Sequence, residues 1–367
     1  MPRRVFRRAA SGQIVLAMIS ATRPVARLTS PADIVAVIPT LCGFVPQESL
    51  VVVSLRGPRK RVGLTMRFDL DWAVDDPVTA AQEVAARLAL DGAERVVLVV
   101  FSEADADASG GLVWNGLVDA VQDAGEQEEI LLEEAVLVSS GRWWSYLCNG
   151  ACCPPAGTPI ATEPSQALRL VEAERVFAGR AVLASREQLS ASVAAPVLLA
   201  AVQAGQDVDR AHTQHLKALA CLPPGALRVQ TVARARALLD RTRDGTVVTG
   251  PDAAELAVAV RDLRVRDAIA TWSLDTRETL LALLLQTVRL LVPPDDAGVL
   301  ALLAWVAYAE GDGALVNVAL ERCLASDPRH SLGGLLRQLI DCQIPPEEVR
   351  RLLRHTASQL IPVDGCD

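Results

Sequence analysis

Three thiols fall within six residues in the segment Trp143-Trp144-Ser145-Tyr146-Leu147-Cys148-Asn149-Gly150-Ala151-Cys152-Cys153-Pro154-Pro155. Thiolates are good Zn²⁺ ligands, and closely spaced ones on a turn rich in Gly and Pro suit part of a tetrahedral site. The spacing C-x3-C-C lacks the second cysteine pair of a zinc knuckle, so a further ligand would come from distant Cys42 or a histidine. The same groups fit a disulfide between Cys148 and a neighbour, redox chemistry, or plain packing beneath the tryptophans. Cys148, Cys152 and Cys153 are therefore the metal or redox candidates, with zinc as the ion this turn would take.

The second candidate is acidic. Glu103, Asp105 and Asp107 follow an apolar run at 96–101, and Ser109, Gly110 and Gly111 come next. At the end of a central strand, such a loop lies where α/β sheets bind ligands. Its backbone N–H groups could receive an anion, but three carboxylates repel phosphate unless a divalent cation such as Mg²⁺ intervenes. Asp69, Asp71, Asp75 and Asp76 form another acidic group after an earlier strand. If folding joined the two groups they could share magnesium, which would polarise a phosphoryl or carbonyl oxygen; the plainer reading is a solvated loop. His212 and His215 share a helix face near Asp207 and Asp209, yet no general-base glutamate lies between them, so this is not a metalloprotease helix. Glycine-rich phosphate loops and a nucleophile elbow are missing, and four histidines make a catalytic triad hard to assemble.

The elements that must carry these groups follow from periodicity. Residues 30–33 (Ser-Pro-Ala-Asp) predict a capped helix start, and Gly43 its end. Runs at 50–55 and 62–70 around the Gly57-Pro58 turn predict a hairpin. A helix at 77–90, a central strand at 96–101, a helix at 112–124 and a strand at 130–138 follow, with a further strand at 143–148. Beyond residue 164 the period turns helical: 165–178, 186–203, 207–220, 228–242, one long helix from Asp252 to Thr271, and one from a capping box at Asp275 to Pro293. Shorter helices at 297–310, 313–325, 331–342 and 346–357 complete the chain. Ala304, Gly311-Asp312, Val316, Cys323 and Pro328 fall at the spacing of one tetratricopeptide unit, with Val316 in place of its usual alanine.

The expected fold is an α/β N-terminal domain with a mixed sheet, followed by an all-α C-terminal domain with a tetratricopeptide-like hairpin. The expected boundaries are a disordered leader or overlong start at 1–26, the α/β domain at 27–185, the helical domain at 186–357 and a tail at 358–367. Hydrophobic residues make up 51% of the 367 and charged residues 22%, which excludes a wholly disordered chain. A net charge of −8 argues against a nucleic-acid footprint, and no apolar run approaches the ~20 residues that span a bilayer. Eight cysteines without a credible signal peptide point to a reducing compartment, with the cytoplasm as default.

Several motifs in order carry a resemblance. They are Ser30-Pro31-Ala32-Asp33 with Gly43-Phe44-Val45-Pro46 and Ser49 to Val53, Arg61-Val62-Gly63-Leu64, Trp144-Ser145-Tyr146-Leu147-Cys148 with Cys152-Cys153-Pro154 and Gly157-Thr158-Pro159, then Ser185-Arg186-Glu187, Val265-Arg266-Asp267 and the hairpin from Trp305 to Pro328. Together they resemble the actinobacterial domain-of-unknown-function 4192 family over about residues 25–357. The resemblance implies a bacterial, cytoplasmic protein of uncharacterised activity, supplies no catalytic residues, and makes the cysteine turn a family feature. The functional expectation is a soluble, non-catalytic adaptor or regulatory protein whose helical half meets a protein partner. The alternatives are a divalent-metal-dependent hydrolase or nucleotide-handling enzyme using Asp69, Glu103, Asp105 and Asp107, and a cysteine-based metal or redox sensor.

Overall fold

A computed structural model describes residues 14–16, 26–28, 30–106, 111–148, 154–160, 168–170, 172–173 and 182–359. The chain divides into two compact units, Met1–Arg186 and Glu187–Asp367.

The first unit is built on an eight-stranded mixed sheet of order β2-β1-β4-β3-β5-β6-β7-β8. Its strands are β1 (Ile14–Leu16), β2 (Ala26–Leu28), β3 (Ser49–Arg56), β4 (Arg61–Asp69), β5 (Arg95–Phe101), β6 (Leu131–Ser139), β7 (Arg142–Ser145) and β8 (Thr158–Pro159). Two of the short strands, β1 and β2, fall at or beside the stretch expected to be a leader, and β1 bridges β4 at Val15 and Arg61. β3 and β4 form the expected hairpin, antiparallel from Ser49 opposite Asp69 to Arg56 opposite Arg61. β5 is central, antiparallel to β3 and parallel to β6, which is why Val96 to Val100 is apolar without a polar break: both faces are covered.

Alternation along the strands sorts the side chains. Leu50, Val52, Leu98, Val100 and Leu137 face a core closed by Ala81, Val84 and Leu88 of α2 (Pro77–Leu90) and Leu117, Val118 and Val121 of α3 (Asn115–Gln127). Val51, Val53, Val97 and Val99 are just as buried but point the other way. Helix α1 (Pro31–Cys42) runs near β4 and β6 and adds buried Ile34, Val35, Val37 and Ile38. Its ends are those its sequence dictates: the Ser30 hydroxyl accepts from the Asp33 N–H, Pro31 opens the first turn, and Gly43 closes the helix at φ +78°. α3 begins three residues later than its sequence predicts, because Trp114 takes a left-handed conformation (φ +63°) that no helix can run through.

The second unit is all helix among its described residues: α4 (Arg186–Ser192), α5 (Leu198–Cys221), α6 (Pro224–Arg243), α7 (Gly250–Ala259), α8 (Leu263–Thr271), α9 (Ser273–Val288), α10 (Ala297–Ala309), α11 (Gly313–Ser326), α12 (Ser331–Asp341) and α13 (Pro346–Gln359). α10 is apolar around its circumference and is the buried axis of this core. Three details correct the sequence reading. The predicted break near residue 205 is instead at 193–197, where Pro196 stops α4, and α5 runs unbroken through Gly205. The single helix expected from Asp252 to Thr271 is two, because the Asp262 carboxylate accepts from the Arg264 N–H and caps a new start. The helix expected to open at a capping box on Asp275 opens at Ser273 and kinks where Thr276 leaves helical dihedrals. Residues 168–170 and 172–173 of the helix expected at 165–178 are helical.

The α12 start has a pH consequence. The His330 Nδ1 accepts from the Gly333 N–H at 3.2 Å, so that nitrogen must be unprotonated. Burial holds the imidazole below its ordinary 6.5; Arg266 adds to this and Asp327 opposes it. A histidine depressed in the fold binds protons more readily once unfolded, so its contribution is complete above its ordinary 6.5 and is lost as pH falls from there through its lower value in the fold. Thermal midpoints measured from pH 7.5 to 5 should fall in the wild type. The fall should flatten in His330→Asn, which keeps a cap acceptor without the titration.

Candidate functional site

The carboxyl ends of β5 and β6 meet the amino end of β3 at one edge of the sheet. Ser49 pairs with Asp69 on one side and Phe101 on the other, and Phe101 pairs with Val138. Two strand spacings therefore separate Asp69 from the start of the loop bearing Glu103, about 10 Å. The topology brings the two acidic groups to the same edge, as sharing an ion would require.

Their side chains are engaged differently. Asp69 pairs with Arg67 at 2.5 Å, and the Arg67 Nε donates to the Ser49 hydroxyl at 2.8 Å. The Glu48 carboxylate receives the Glu103 N–H at 2.5 Å and the Ser102 hydroxyl at 3.4 Å. The buried Ser139 hydroxyl donates to the Glu103 carbonyl at 3.0 Å, pinning the loop's first turn. Asp76 caps α2 through Thr79, whose hydroxyl and N–H hold its carboxyl below the ordinary range. Asp105 is exposed, and Asp107 lies outside the described residues. Among the described residues no group of three His, Cys, Asp or Glu side chains is arranged to hold a metal ion.

The described residues on either side of the cysteine turn are held through β7. Before it, the Ser145 hydroxyl donates to Glu134 at 2.8 Å and accepts from the Leu147 N–H, while the Tyr146 hydroxyl donates to the Val113 carbonyl at 2.7 Å. Burial raises the Tyr146 phenol well above its ordinary value, so it is a donor at any working pH. After it, the Trp144 indole N–H donates to the Pro155 carbonyl at 3.0 Å, and the Arg142 guanidinium donates to the carbonyls of Ala156 and Gly157. The Trp144 ring lies on Gly157 so closely that a Cβ there would overlap it, and Gly157 has φ +73°. The Trp144 and Gly157-Thr158-Pro159 motifs are thus one lock. Cys148 sits at its near end; Cys152 and Cys153 lie outside the described residues. Gly157→Ala should cost about 1–3 kcal/mol through overpacking and backbone strain. The checks are a lower thermal midpoint and altered tryptophan emission; an unchanged emission maximum would contradict the lock.

The histidine pair assembles nothing. His212 is exposed, with its Nδ1 3.5 Å from an Arg261 nitrogen, whereas Asp207 is buried, pairing with Arg210 at 2.5 Å and accepting from Gln203. Cys323, in the helical core, donates to the Ala297 carbonyl; burial and the nearby Asp296 and Asp327 carboxylates push its thiol up to about 12, so it is unreactive at neutral pH.

One exposed apolar run among the described residues of the helical unit was not singled out from the sequence. Val197, Leu198, Leu199 and Val202 at the start of α5 are 71%, 86%, 80% and 57% exposed. Their run reads as ordinary core on a helix whose ends were misplaced. Leu198 itself has φ +53°, so regular helical spacing does not place it.

No helix among the described residues is long and apolar enough to cross a membrane. Comparison with the curated proteins returned no match, and neither did comparison with the solved structures. A family model described as a domain of unknown function, DUF4192, matches residues 31–347, most of the chain, and the chain belongs to that family.

Proposed function

We propose that this protein is a non-catalytic adaptor or regulatory protein whose helical unit binds a protein partner. The observation that carries the reading is the apolar run at the head of α5. Isolated exposed leucines need no explanation, but adjacent large apolar residues more than half exposed mark an interaction surface. The α10–α11 pair, turning at Gly311 and capped by Asp312, supports the same reading as a tetratricopeptide-like hairpin. The test is affinity capture from a native lysate with the full chain, its Leu198→Glu variant and, as a control in the other unit, Asp69→Ala. A specific partner held by wild type and Asp69→Ala but lost by Leu198→Glu is expected. Equal capture by all three, or none, sinks the reading.

A second reading is favoured by one observation: Asp69 and the Glu103 loop lie at the same sheet edge, where Asp105 and Asp107 could complete a magnesium site for hydrolytic chemistry. Magnesium binding by calorimetry, lost in Asp105→Ala with Asp107→Ala, is what that reading requires. The cysteine turn is tested separately, by elemental analysis for zinc and thiol titration before and after reduction.

A further inference from the structure

We infer that α13 is a hinged flap, which leaves its seat as one piece by turning about residues 343–345 while the other helices of the unit stay folded. Helix α12 ends in a Schellman turn: the Gln343 N–H donates to the Ile340 carbonyl and the Ile344 N–H to the Leu339 carbonyl, each at 2.9 Å. That turn needs one residue in the left-handed region, a place that favours glycine, and here it is Gln343 at φ +52°. The side chain of the same residue adds a second cost. Its amide atoms Oε1 and Nε2 are both buried without a hydrogen-bond partner among the described residues. Both costs fall on the junction between α12 and α13, beside Pro345 and Pro346, and both are relieved when that junction opens.

The helix itself is lightly held. It rests against α8, α9 and α10, and of its 14 residues only Val349 and Leu353, one turn apart, are buried. Its carboxylates pair within the helix: Glu347 with Arg350 at 2.6 Å and with Arg354 at 3.0 Å, and Glu348 with Arg351. Among the described residues no ion pair ties α13 to another helix, so the charges travel with it and none is separated on leaving. The closed position is held by the Arg350 Nη1, which donates to the Ala309 carbonyl at 2.7 Å, and by the Tyr308 hydroxyl, which donates to the Ile344 carbonyl at 2.5 Å. The second bond is replaceable, because the Leu339 carbonyl stands 3.3 Å from the same hydroxyl. Opening bares the apolar seat beneath Val349 and Leu353 and leaves α10, the axis of the core, in place. Such a sub-global opening lies well below the free energy of unfolding the whole unit.

The test is amide hydrogen exchange of the full chain, resolved along α13 and α10 by fragment mass spectrometry. The α13 amides from Arg350 onward should share one protection factor, about 100-fold or more below that of α10. Gln343→Gly should raise the shared value about fivefold or more, since glycine takes the left-handed turn without strain and removes the buried amide. Arg350→Ala should lower it about tenfold, through the lost bond to Ala309. Neither substitution should change the protection of α10, which also shows that both variants stay folded. Protection that declines steadily from Arg350 to Gln359 would be fraying of a helix end, and protection equal to that of α10 would be global unfolding. Either result, or an α13 indifferent to Gln343→Gly, overturns the inference.

Discussion

The Arg322→Ala variant is expected to lose about 3–5 kcal/mol of stability, the cost of breaking a buried ion pair from one side. Arg322 donates to the Asp296 Oδ2 from Nε at 2.9 Å and Nη2 at 2.7 Å, to the Leu291 carbonyl at 2.9 Å, and to the Val193 carbonyl through Nη1. Asp296 has no exposed surface, and its Oδ1 has no hydrogen-bond partner. Removing the guanidinium leaves a carboxylate in the core with only the α10 N-terminus to stabilise it. It also frees two backbone carbonyls, one after α4 and one before α10. Arg322→Lys should recover less than half the loss, since one ammonium cannot serve the carboxylate and both carbonyls at once. Arg322→Met combined with Asp296→Leu should recover more, because the unpaired charge goes with its partner. Urea denaturation followed by circular dichroism measures all three; a loss below about 1 kcal/mol for Arg322→Ala would show that water reaches the site.

The reach of the sequence can be judged residue by residue. Ser30, Pro31 and Gly43 delimit α1 because caps and left-handed glycines act within a few residues, and such local rules are readable without a fold. The central position of β5 was equally legible, since an apolar run without a break is what burial on both faces demands. The break at 193–197 and the kink at Thr276 were not, because Gly205 and Asp275 look like punctuation and are not used as such. Pairings across long separations leave no periodic trace: Arg322 reaches Val193 across 129 positions. The acidic residues were recognised, and their common sheet edge came from strand order, which composition does not encode. Arg67 neutralises Asp69 from two positions away, a spacing that puts both side chains on one face of the strand.

The motif Arg61-Val62-Gly63-Leu64 acquires a physical meaning at the opposite edge of the sheet, and with it a prediction. Asp91, just past α2, sends its carboxylate under the β3–β4 hairpin. There it accepts from the buried Ser54 hydroxyl at 2.5 Å, the Leu64 N–H at 3.2 Å and the Arg56 guanidinium, whose Nε lies at 2.9 Å. A Cβ on Gly63 would stand 2.8 Å from that carboxylate and 2.5 Å from the Ser54 hydroxyl, so only glycine leaves room for the network. Asp91→Ala strands one buried hydroxyl and one backbone N–H, each costing about 1–3 kcal/mol, and a total loss of about 2–6 kcal/mol is expected. Gly63→Ala should approach the same loss from the other side, by displacing the carboxylate it cannot accommodate. Because both substitutions break one network, their combination should cost clearly less than the sum of the two. A double variant whose losses simply add would mean that Gly63 is required for something other than Asp91.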